Sequence, residues 1–150
     1  MSADAIVARN RKARYEYDIL ETFEAGIVLR GAEVKSVRDG GVSLVDGYAT
    51  IDHGEVYLHA VHIRPYDPAN RWNVDPRRRR KLLMHKHEIR GLIGRVAEKG
   101  LTLIPLDVHL SGGYAKVTLG LARGRHTHDK REAIKRREMD RETARELGRR

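Results

Sequence analysis

Two pairs of alternating segments, each joined by only two or three residues, limit the fold of this chain most strongly. Residues 48–52 and 55–61 alternate between apolar and polar side chains around His53-Gly54, which predicts a tight hairpin. Residues 101–110 and 114–121 repeat this pattern around Ser111-Gly112-Gly113. Such short connections exclude the crossover helices that a parallel sheet needs. We therefore expect a mainly β fold with antiparallel neighbours, its strand at 101–110 bent or placed at an edge by Pro105.

Helical patterns are few and short. Residues 27–37 predict a short helix that ends at Gly40-Gly41. A second helix, with Gly100 as its C-terminal cap, is predicted from apolar residues at helical spacing: Ile89, Leu92, Ile93 and Val96. Residues 15–20 fit a short strand, and residues 64–76, with three prolines, fit an exposed loop. Several short strands with two flanking helices favour a small closed barrel of the OB type.

The whole chain has a net charge of +9, and most of this positive charge lies at its two ends. Residues 1–14 hold four basic residues and one acidic residue, and residues 125–150 hold ten and six. Residues 15–124 are nearly balanced, with sixteen basic and fourteen acidic residues. The ends carry too few large apolar side chains to offset the entropy of ordering. We expect a basic N-terminal arm, a barrel over 15–124, and a basic tail that is disordered when free and helical on a partner.

This positive charge and a run of five cations, residues 77–81, indicate a polyanionic partner. The run is either a solvated face or a group of residues neutralised by phosphates. Aromatic side chains that could stack on bases accompany it: Tyr15, Tyr17, Tyr48, Tyr57, Tyr66 and Trp72. Together these features favour a nucleic acid as the partner and do not distinguish RNA from DNA.

Several classes of protein are disfavoured. The chain has no cysteine, which excludes disulfides and thiolate metal sites. It has no apolar run of roughly 18 residues and no signal-like segment, so we expect a cytoplasmic protein with no membrane association. The glycine pair Gly26 and Gly31 is not followed by the Lys-Ser/Thr of a phosphate-binding loop, and no hydrolase motif is present. We expect no cofactor and no enzymatic activity.

Eight histidines leave a metal site as an alternative. His85 and His87 would point about 200° apart on a regular helix, and His126 and His128 lie in the expected tail. Neither pair favours a chelate, and we expect no metal.

Five peptide segments, in their order and spacing, carry a specific family resemblance. They begin with residues 10–15 (NRKARY), 23–27 (FEAGI) and 31–38 (GAEVKSVR). They continue with residues 80–83 (RKLL), and with Gly124-Arg125 followed by residues 128–131 (HDKR). On these segments the chain resembles the bacterial small protein B family, also called SsrA-binding protein, the partner of transfer-messenger RNA (tmRNA).

The resemblance implies an OB-like barrel that binds the elbow and D-loop side of the tRNA-like part of tmRNA. It implies a role in trans-translation, in which the complex, with elongation factor Tu bound to the RNA, enters the vacant A site of a stalled ribosome. The basic tail would enter the empty mRNA channel and become helical there. We expect a monomer that acts as a non-enzymatic RNA-binding adaptor. Two rivals stay open: a general ribosome-associated RNA-binding or structural protein, and a metal-dependent RNA hydrolase that uses the histidines.

The resemblance also implies the residues that make these contacts. The RNA-facing set is Asn10, Glu24, Leu83 and Lys116, and Arg11 and Lys12 support the phosphates. Glu24 would accept hydrogen bonds from base amino groups, and Lys116 would pair with a phosphate. The tail motif expected near the decoding centre is His128, Asp129, Lys130 and Arg131.

Overall fold

A computed structural model describes residues 5–66, 75–97 and 100–124. These ranges contain nine strands: β1 (Ala5–Arg9), β2 (Tyr17–Ile27), β3 (Val42–Ser43), β4 (Tyr48–Asp52), β5 (Glu55–His59), β6 (His62–Ile63), β7 (Arg80–Leu83), β8 (Leu101–Ser111) and β9 (Tyr114–Gly124). They also contain three helices: α1 (Ala13–Glu16), α2 (Gly31–Arg38) and α3 (Lys86–Val96). The expectation of a mainly β fold with a few helices is confirmed.

Seven strands form one antiparallel sheet. They lie in the order β1, β8, β4, β5, β7, β2 and β9, and β9 also pairs with β8. The hydrogen-bonded order of six strands therefore returns to β8. The short strands β3 and β6 form a separate pair. Both predicted hairpins are confirmed, because β4 pairs with β5 and β8 pairs with β9 across the turns read from the sequence. The register of β8 shifts between Pro105 and Asp107, an irregularity of the kind that bends a strand, and β8 pairs on both sides instead of lying at an edge.

The core consists of alternating side chains from these strands. Leu103, Val117, Leu119 and Leu121 of the β8–β9 hairpin are fully buried. They pack in one cluster with buried residues of the other strands and of α2 and α3, among them Val37, Val56, Leu58, Leu82 and Leu92. A smaller cluster joins α1 to β8 and β9 through Ala13, Ile104, Leu106 and Ala122. The hairpins and the core are thus one packed unit.

Both predicted internal helices are present, but the first begins at Gly31 rather than at residue 27, and α3 ends at Val96 with Ala97 instead of Gly100 as its C-cap. α2 begins at Gly31 and is followed by Gly40 at a φ of 77°, the left-handed conformation that glycine supplies at a helix end. α3 buries Ile89 and Leu92, but Ile93 is 46% exposed, so its apolar face is narrower than the sequence pattern indicated. No helix within the described ranges is both long enough and apolar enough to cross a membrane.

The N-terminal segment differs from the expected arm. Residues 5–9 form β1, which pairs with residues 107–110 of β8, and residues 13–16 form α1 before β2 begins at Tyr17. The scarcity of large apolar side chains does not predict this strand, because backbone hydrogen bonds hold it. β4 pairs with β8 only near Leu103, so the rest of β8 is available to β1, and Val7 and Ala8 pack against the core. Of the short strand predicted at 15–20, residues 15 and 16 belong to α1 and residues 17–20 begin the longer strand β2.

Gly47 is expected to be a position where an added methyl group destabilises the protein. A Cβ atom there would lie 2.8 Å from Pro105 Cγ and 2.8 Å from Val61 Cγ2, both in tightly packed side chains. We expect Gly47→Ala to reduce the free energy of unfolding by about 1 to 3 kcal/mol, measured by urea denaturation. Gly91→Ala on α3 is the control, since nothing lies within 4 Å of its added Cβ. Equal midpoints for Gly47→Ala and the unaltered protein would contradict the packing described here.

Candidate functional site

Three of the residues predicted to face RNA lie at one groove on the sheet. Glu24 lies on β2, Lys116 on β9 and Leu83 at the end of β7. β2 lies between the other two strands and pairs Gly26 with both Leu83 and Lys116. The antiparallel register therefore brings together residues that are far apart in the sequence. The groove has a volume of about 340 Å³ and is lined by Glu24, Gly26, Leu83, Met84, His85 and Lys116.

The groove combines three kinds of surface. The Lys116 ammonium lies 3.2 Å from Glu24 Oε1, and half of the Glu24 side chain is exposed. Leu83 is 56% exposed, although its neighbour Leu82 is buried in the core. A carboxylate can accept hydrogen bonds from base amino groups, an ammonium can pair with phosphate, and an exposed apolar side chain can contact a base or sugar. The groove therefore has the chemistry that nucleotide recognition requires.

A buried histidine supports the charged side of the groove. His109 Nε2 lies 2.9 Å from Glu24 Oε2, and His109 Nδ1 lies 2.8 Å from Asp107 Oδ1. Thr118 donates to the same Asp107 oxygen at 3.0 Å. The sequence reasoning missed these three residues. The register counted outward from the Gly112-Gly113 turn could have found them, since it pairs His109 with Lys116 and Asp107 with Thr118.

These contacts shift the pKa of both groups that meet at the groove. The hydrogen bond from His109, and then that from Lys116, lowers the pKa of Glu24. Burial has the largest single effect on the pKa of His109 and lowers it. The bonds to Glu24 and Asp107 together outweigh burial and raise the pKa above 6.5. Both shifts favour the ionised forms, a carboxylate on Glu24 and an imidazolium on His109.

The other three residues predicted to face RNA lie elsewhere. Asn10 follows β1 and donates from Nδ2 to the Pro105 carbonyl at 3.0 Å and to the Leu44 carbonyl at 3.4 Å. Its amide is therefore used to fix the chain between β1 and α1. Arg11 and Lys12 come next and are exposed. The structure thus gives Asn10 a local structural role and leaves Arg11 and Lys12 at the surface.

The basic run 77–81 is partly neutralised within the protein, where three carboxylates face its five cations. Four of its members pair with carboxylates: Arg77 with Asp46, Arg78 and Arg80 with Glu33, and Lys81 with Glu55. The fifth, Arg79, lies 4.0 Å above the ring of Tyr57. Contacts within the protein therefore explain the run without phosphates. The run itself does not show these contacts, because the acidic partners come from α2, β5 and the segment before β4.

Glu33 and Arg80 form a buried ion pair within this network. The Glu33 side chain is 3% exposed and that of Arg80 is fully buried, with 2.7 Å between Arg80 Nη2 and Glu33 Oε2. Arg80 also donates to the Val61 and Pro76 carbonyls, and Glu33 accepts from the Arg30 backbone amide. Burial by itself would raise the pKa of Glu33, but the bonds from Arg78, Arg30 and Arg80 lower it. Both charges are thereby compensated.

The remaining candidates are placed as follows. His85 precedes α3 and its ring stacks on that of His87 at 5.5 Å, so the argument that both point apart from one helix does not apply. Within the described residues, no three or more metal-binding side chains cluster. Tyr15 is 70% exposed, and Tyr48 stacks on His59 at 5.0 Å. Trp72, the pair His126 and His128, and the tail motif His128, Asp129, Lys130 and Arg131 lie outside the described residues.

The fold and the groove together define a small β protein with the features of a nucleic-acid-binding module. The family described as SmpB protein matches residues 7–149. SsrA-binding proteins of Streptococcus mutans and Enterococcus faecalis are 55% and 52% identical to this chain over 142 residues, which cover 95% of this chain and 92% of theirs. The chain therefore belongs to the SmpB, or SsrA-binding protein, family.

A solved structure gives the same assignment. It is described as "tmRNA-SmpB: a journey to the center of the bacterial ribosome". One of its chains superposes on this protein with a TM-score of 0.67 and 56% sequence identity. The alignment covers 78% of this chain and 82% of that chain. The arrangement of strands and helices is thus shared with a protein of the same family.

Proposed function

We propose that this protein binds the tRNA-like part of tmRNA and delivers it to stalled ribosomes for trans-translation. It acts as a non-enzymatic adaptor. The observation that carries the proposal is the groove between β7, β2 and β9, where Glu24, Leu83 and Lys116 converge in a member of the SsrA-binding protein family. These are three of the residues that the family resemblance implied for RNA contact.

Each side of the groove has a separate role in this proposal. Glu24 accepts hydrogen bonds from base amino groups and so discriminates among bases. It contributes selectivity and not general affinity, because a carboxylate repels phosphate. Lys116 pairs with a phosphate, and Leu83 packs against a base or ribose. Arg11 and Lys12 contact phosphates from the segment that Asn10 fixes to β8. The role of Asn10 is therefore to position its neighbours as well as to face the RNA.

The strand order supports a finer description of the fold. Six strands, β8, β4, β5, β7, β2 and β9, follow one another by hydrogen bonding and return to β8. We propose that this ring is the closed OB-like barrel predicted from the sequence, with residues 15–124 as the RNA-binding unit. OB folds bind nucleic acid on strand surfaces with flanking loops.

The remaining parts of the proposal concern the ribosome. Residues 125–150 carry ten basic and six acidic residues, a charge suited to an RNA-lined channel. His128, Asp129, Lys130 and Arg131 would lie near the decoding centre, and the tail would become helical in the empty mRNA channel. Elongation factor Tu is met only through the RNA. The protein acts in the cytoplasm as a monomer.

Reversing the charge of Lys116 is expected to weaken RNA binding. Lys116→Glu removes a phosphate contact and places a second carboxylate beside Glu24, so we expect a loss of about 1 to 3 kcal/mol in binding free energy. The measurement is the dissociation constant for the isolated tRNA-like RNA. Lys35→Glu is the matched control, since it makes the same charge change on α2. An affinity unaltered by Lys116→Glu would remove this residue from the interface.

A binding and integrity assay separates the adaptor from its rivals. We expect log K to fall with log salt by about 0.9 for each neutralised duplex phosphate, and the RNA to stay intact with divalent metal present. Cleavage that a chelator abolishes would support the hydrolase instead. Equal affinity for ribosomal RNA fragments and for tmRNA would support a general ribosome-associated protein. Sequencing of the RNA that co-purifies with the protein gives the same distinction.

A further inference from the structure

His109 is buried between two carboxylates, one of which, that of Glu24, lines the groove. The residue is 5% exposed. Its Nδ1 faces Asp107 at 2.8 Å and its Nε2 faces Glu24 at 2.9 Å. Both ring nitrogens are therefore at hydrogen-bonding distance from groups that, when ionised, only accept.

The positions of the two carboxylates favour the doubly protonated form of the ring. A neutral imidazole carries one N–H and one lone pair, so one of its two nitrogens would face a carboxylate oxygen without a proton between them. Only the imidazolium donates at both nitrogens. The raised pKa of His109 agrees with this reading, although burial works against it.

The surrounding charges balance the imidazolium. Lys116 on β9 lies opposite His109 and contacts the second oxygen of Glu24, and Thr118 donates to Asp107. β1 places Ile6 opposite His109 and Arg9 opposite Asp107. α3, which also packs against β8, contributes the apolar Ile89 and Leu92 to the core, and His85 just before it lines the groove. The inner charged set is two carboxylates and two cations.

This arrangement holds the Glu24 carboxylate in one orientation. His109 donates to Oε2 and Lys116 donates to Oε1, so each oxygen has a fixed partner and keeps a lone pair for a further donor. A half-exposed glutamate without these partners would sample several rotamers and would lose that freedom on binding RNA. His109 therefore preorganises the acceptor that the RNA meets.

We propose that His109, as an imidazolium, is a positioning residue for Glu24, and that RNA affinity falls when this ring loses its proton. The proposal rests on the proposed function and specifies how the same groove is tuned. Deprotonation replaces one hydrogen bond by a repulsive contact between lone pairs and removes one positive charge near the phosphates. Both effects weaken binding as pH rises above the ordinary histidine value of 6.5 and through the raised pKa.

The test is the dissociation constant for the tRNA-like RNA of tmRNA from roughly pH 6 to pH 9, at fixed ionic strength. For the full-length protein we expect affinity to fall by about tenfold over this range, the size of one charge-assisted hydrogen bond. His109→Gln should bind more weakly at low pH and lose most of the pH dependence. His53→Asn, at an exposed histidine in the turn between β4 and β5 and outside the groove, should keep the profile of the unaltered protein.

A double-mutant cycle shows whether His109 acts through Glu24. Glu24→Gln should weaken binding and flatten the profile by itself, and the double variant with His109→Gln should bind no worse than Glu24→Gln alone. Additive losses would overturn the positioning role. A purely structural role for His109 would lower the thermal midpoint of His109→Gln and leave its pH profile unaltered, which would also overturn the proposal.

A second measurement does not depend on how the variants fold. The ring nitrogen chemical shifts of His109 in the unaltered protein should be those of an imidazolium at neutral pH, and a neutral tautomer would overturn the proposal. The RNA-binding data distinguish a failure of the proposed function from a failure of the inference about His109. No preference for tmRNA at any pH would overturn the proposed function and this inference with it. A preference with the same pH profile in His109→Gln would overturn the inference alone.

Discussion

A chain that ends at Gly124 is expected to bind the tRNA-like part of tmRNA almost as tightly as the full protein and to lose tagging on stalled ribosomes. Gly124 is the last residue of β9 and pairs with Tyr17 of β2, so every described strand and helix is retained. The groove at Glu24, Leu83 and Lys116 is likewise complete. The truncation removes ten basic and six acidic residues, which in the proposed function contact the ribosome rather than tmRNA.

Two assays check this division of labour. The dissociation constant for isolated RNA and the yield of tagged polypeptide on ribosomes stalled without a full codon are measured for the same protein. A variant with residues 125–150 in shuffled order is the matched control, because it keeps length and charge. It should bind RNA normally and fail in tagging. A collapse of RNA affinity on truncation would contradict the assignment of the RNA site to the described sheet.

Glu33→Gln is expected to destabilise the protein by about 3 to 5 kcal/mol, the usual effect of removing one partner of a buried ion pair. Gln keeps the shape of the side chain but leaves Arg80, whose side chain is fully buried, without its counter-charge. It also weakens the contacts that Arg78 and the Arg30 amide make with the carboxylate. The free energy of unfolding, measured by urea denaturation at neutral pH, gives the effect.

An exposed ion pair supplies the control for this prediction. Asp46→Asn breaks the contact with Arg77, in which both side chains are more than half exposed, and such pairs contribute at most about 1 kcal/mol. The lowered pKa of Glu33 adds a second check. Its stabilising contribution is complete above the ordinary value of 4.5 and is lost as pH falls through the lower folded value. Equal midpoints for Glu33→Gln and Asp46→Asn would contradict a structural role for this network.

The sequence predicts the local parts of the fold well. Both hairpins and α3 follow from patterns within about twenty residues, because turn residues and side-chain periodicity act at that range. β1 could not be predicted in the same way. Its stability depends on the free edge of β8, which is about a hundred residues away in the sequence. The side-chain composition of residues 5–9 does not predict a backbone partner at that distance.

The site shows the same division between local and distant information. The family resemblance predicted Glu24, Leu83 and Lys116 as RNA-facing, and the register of β2 with β7 and β9 explains why they share one groove. The run of cations at 77–81 left a solvated face and neutralisation by phosphates as alternatives, because its buried partner Glu33 lies 45 and 47 residues away from Arg78 and Arg80. His109 was accessible through hairpin register alone, but its contact with Glu24 across β9 was not.

Competition binding tests the central claim most directly. Labelled tRNA-like RNA from tmRNA is bound to the full-length protein at near-physiological salt, and unlabelled competitors are added at equal phosphate concentration. We expect unlabelled tmRNA to compete better than unrelated duplex RNA or heparin by roughly a thousandfold or more, the range of specific nucleic-acid recognition. Equal competition by all three polyanions would show that charge alone drives binding and would contradict a tmRNA-specific groove at Glu24, Leu83 and Lys116.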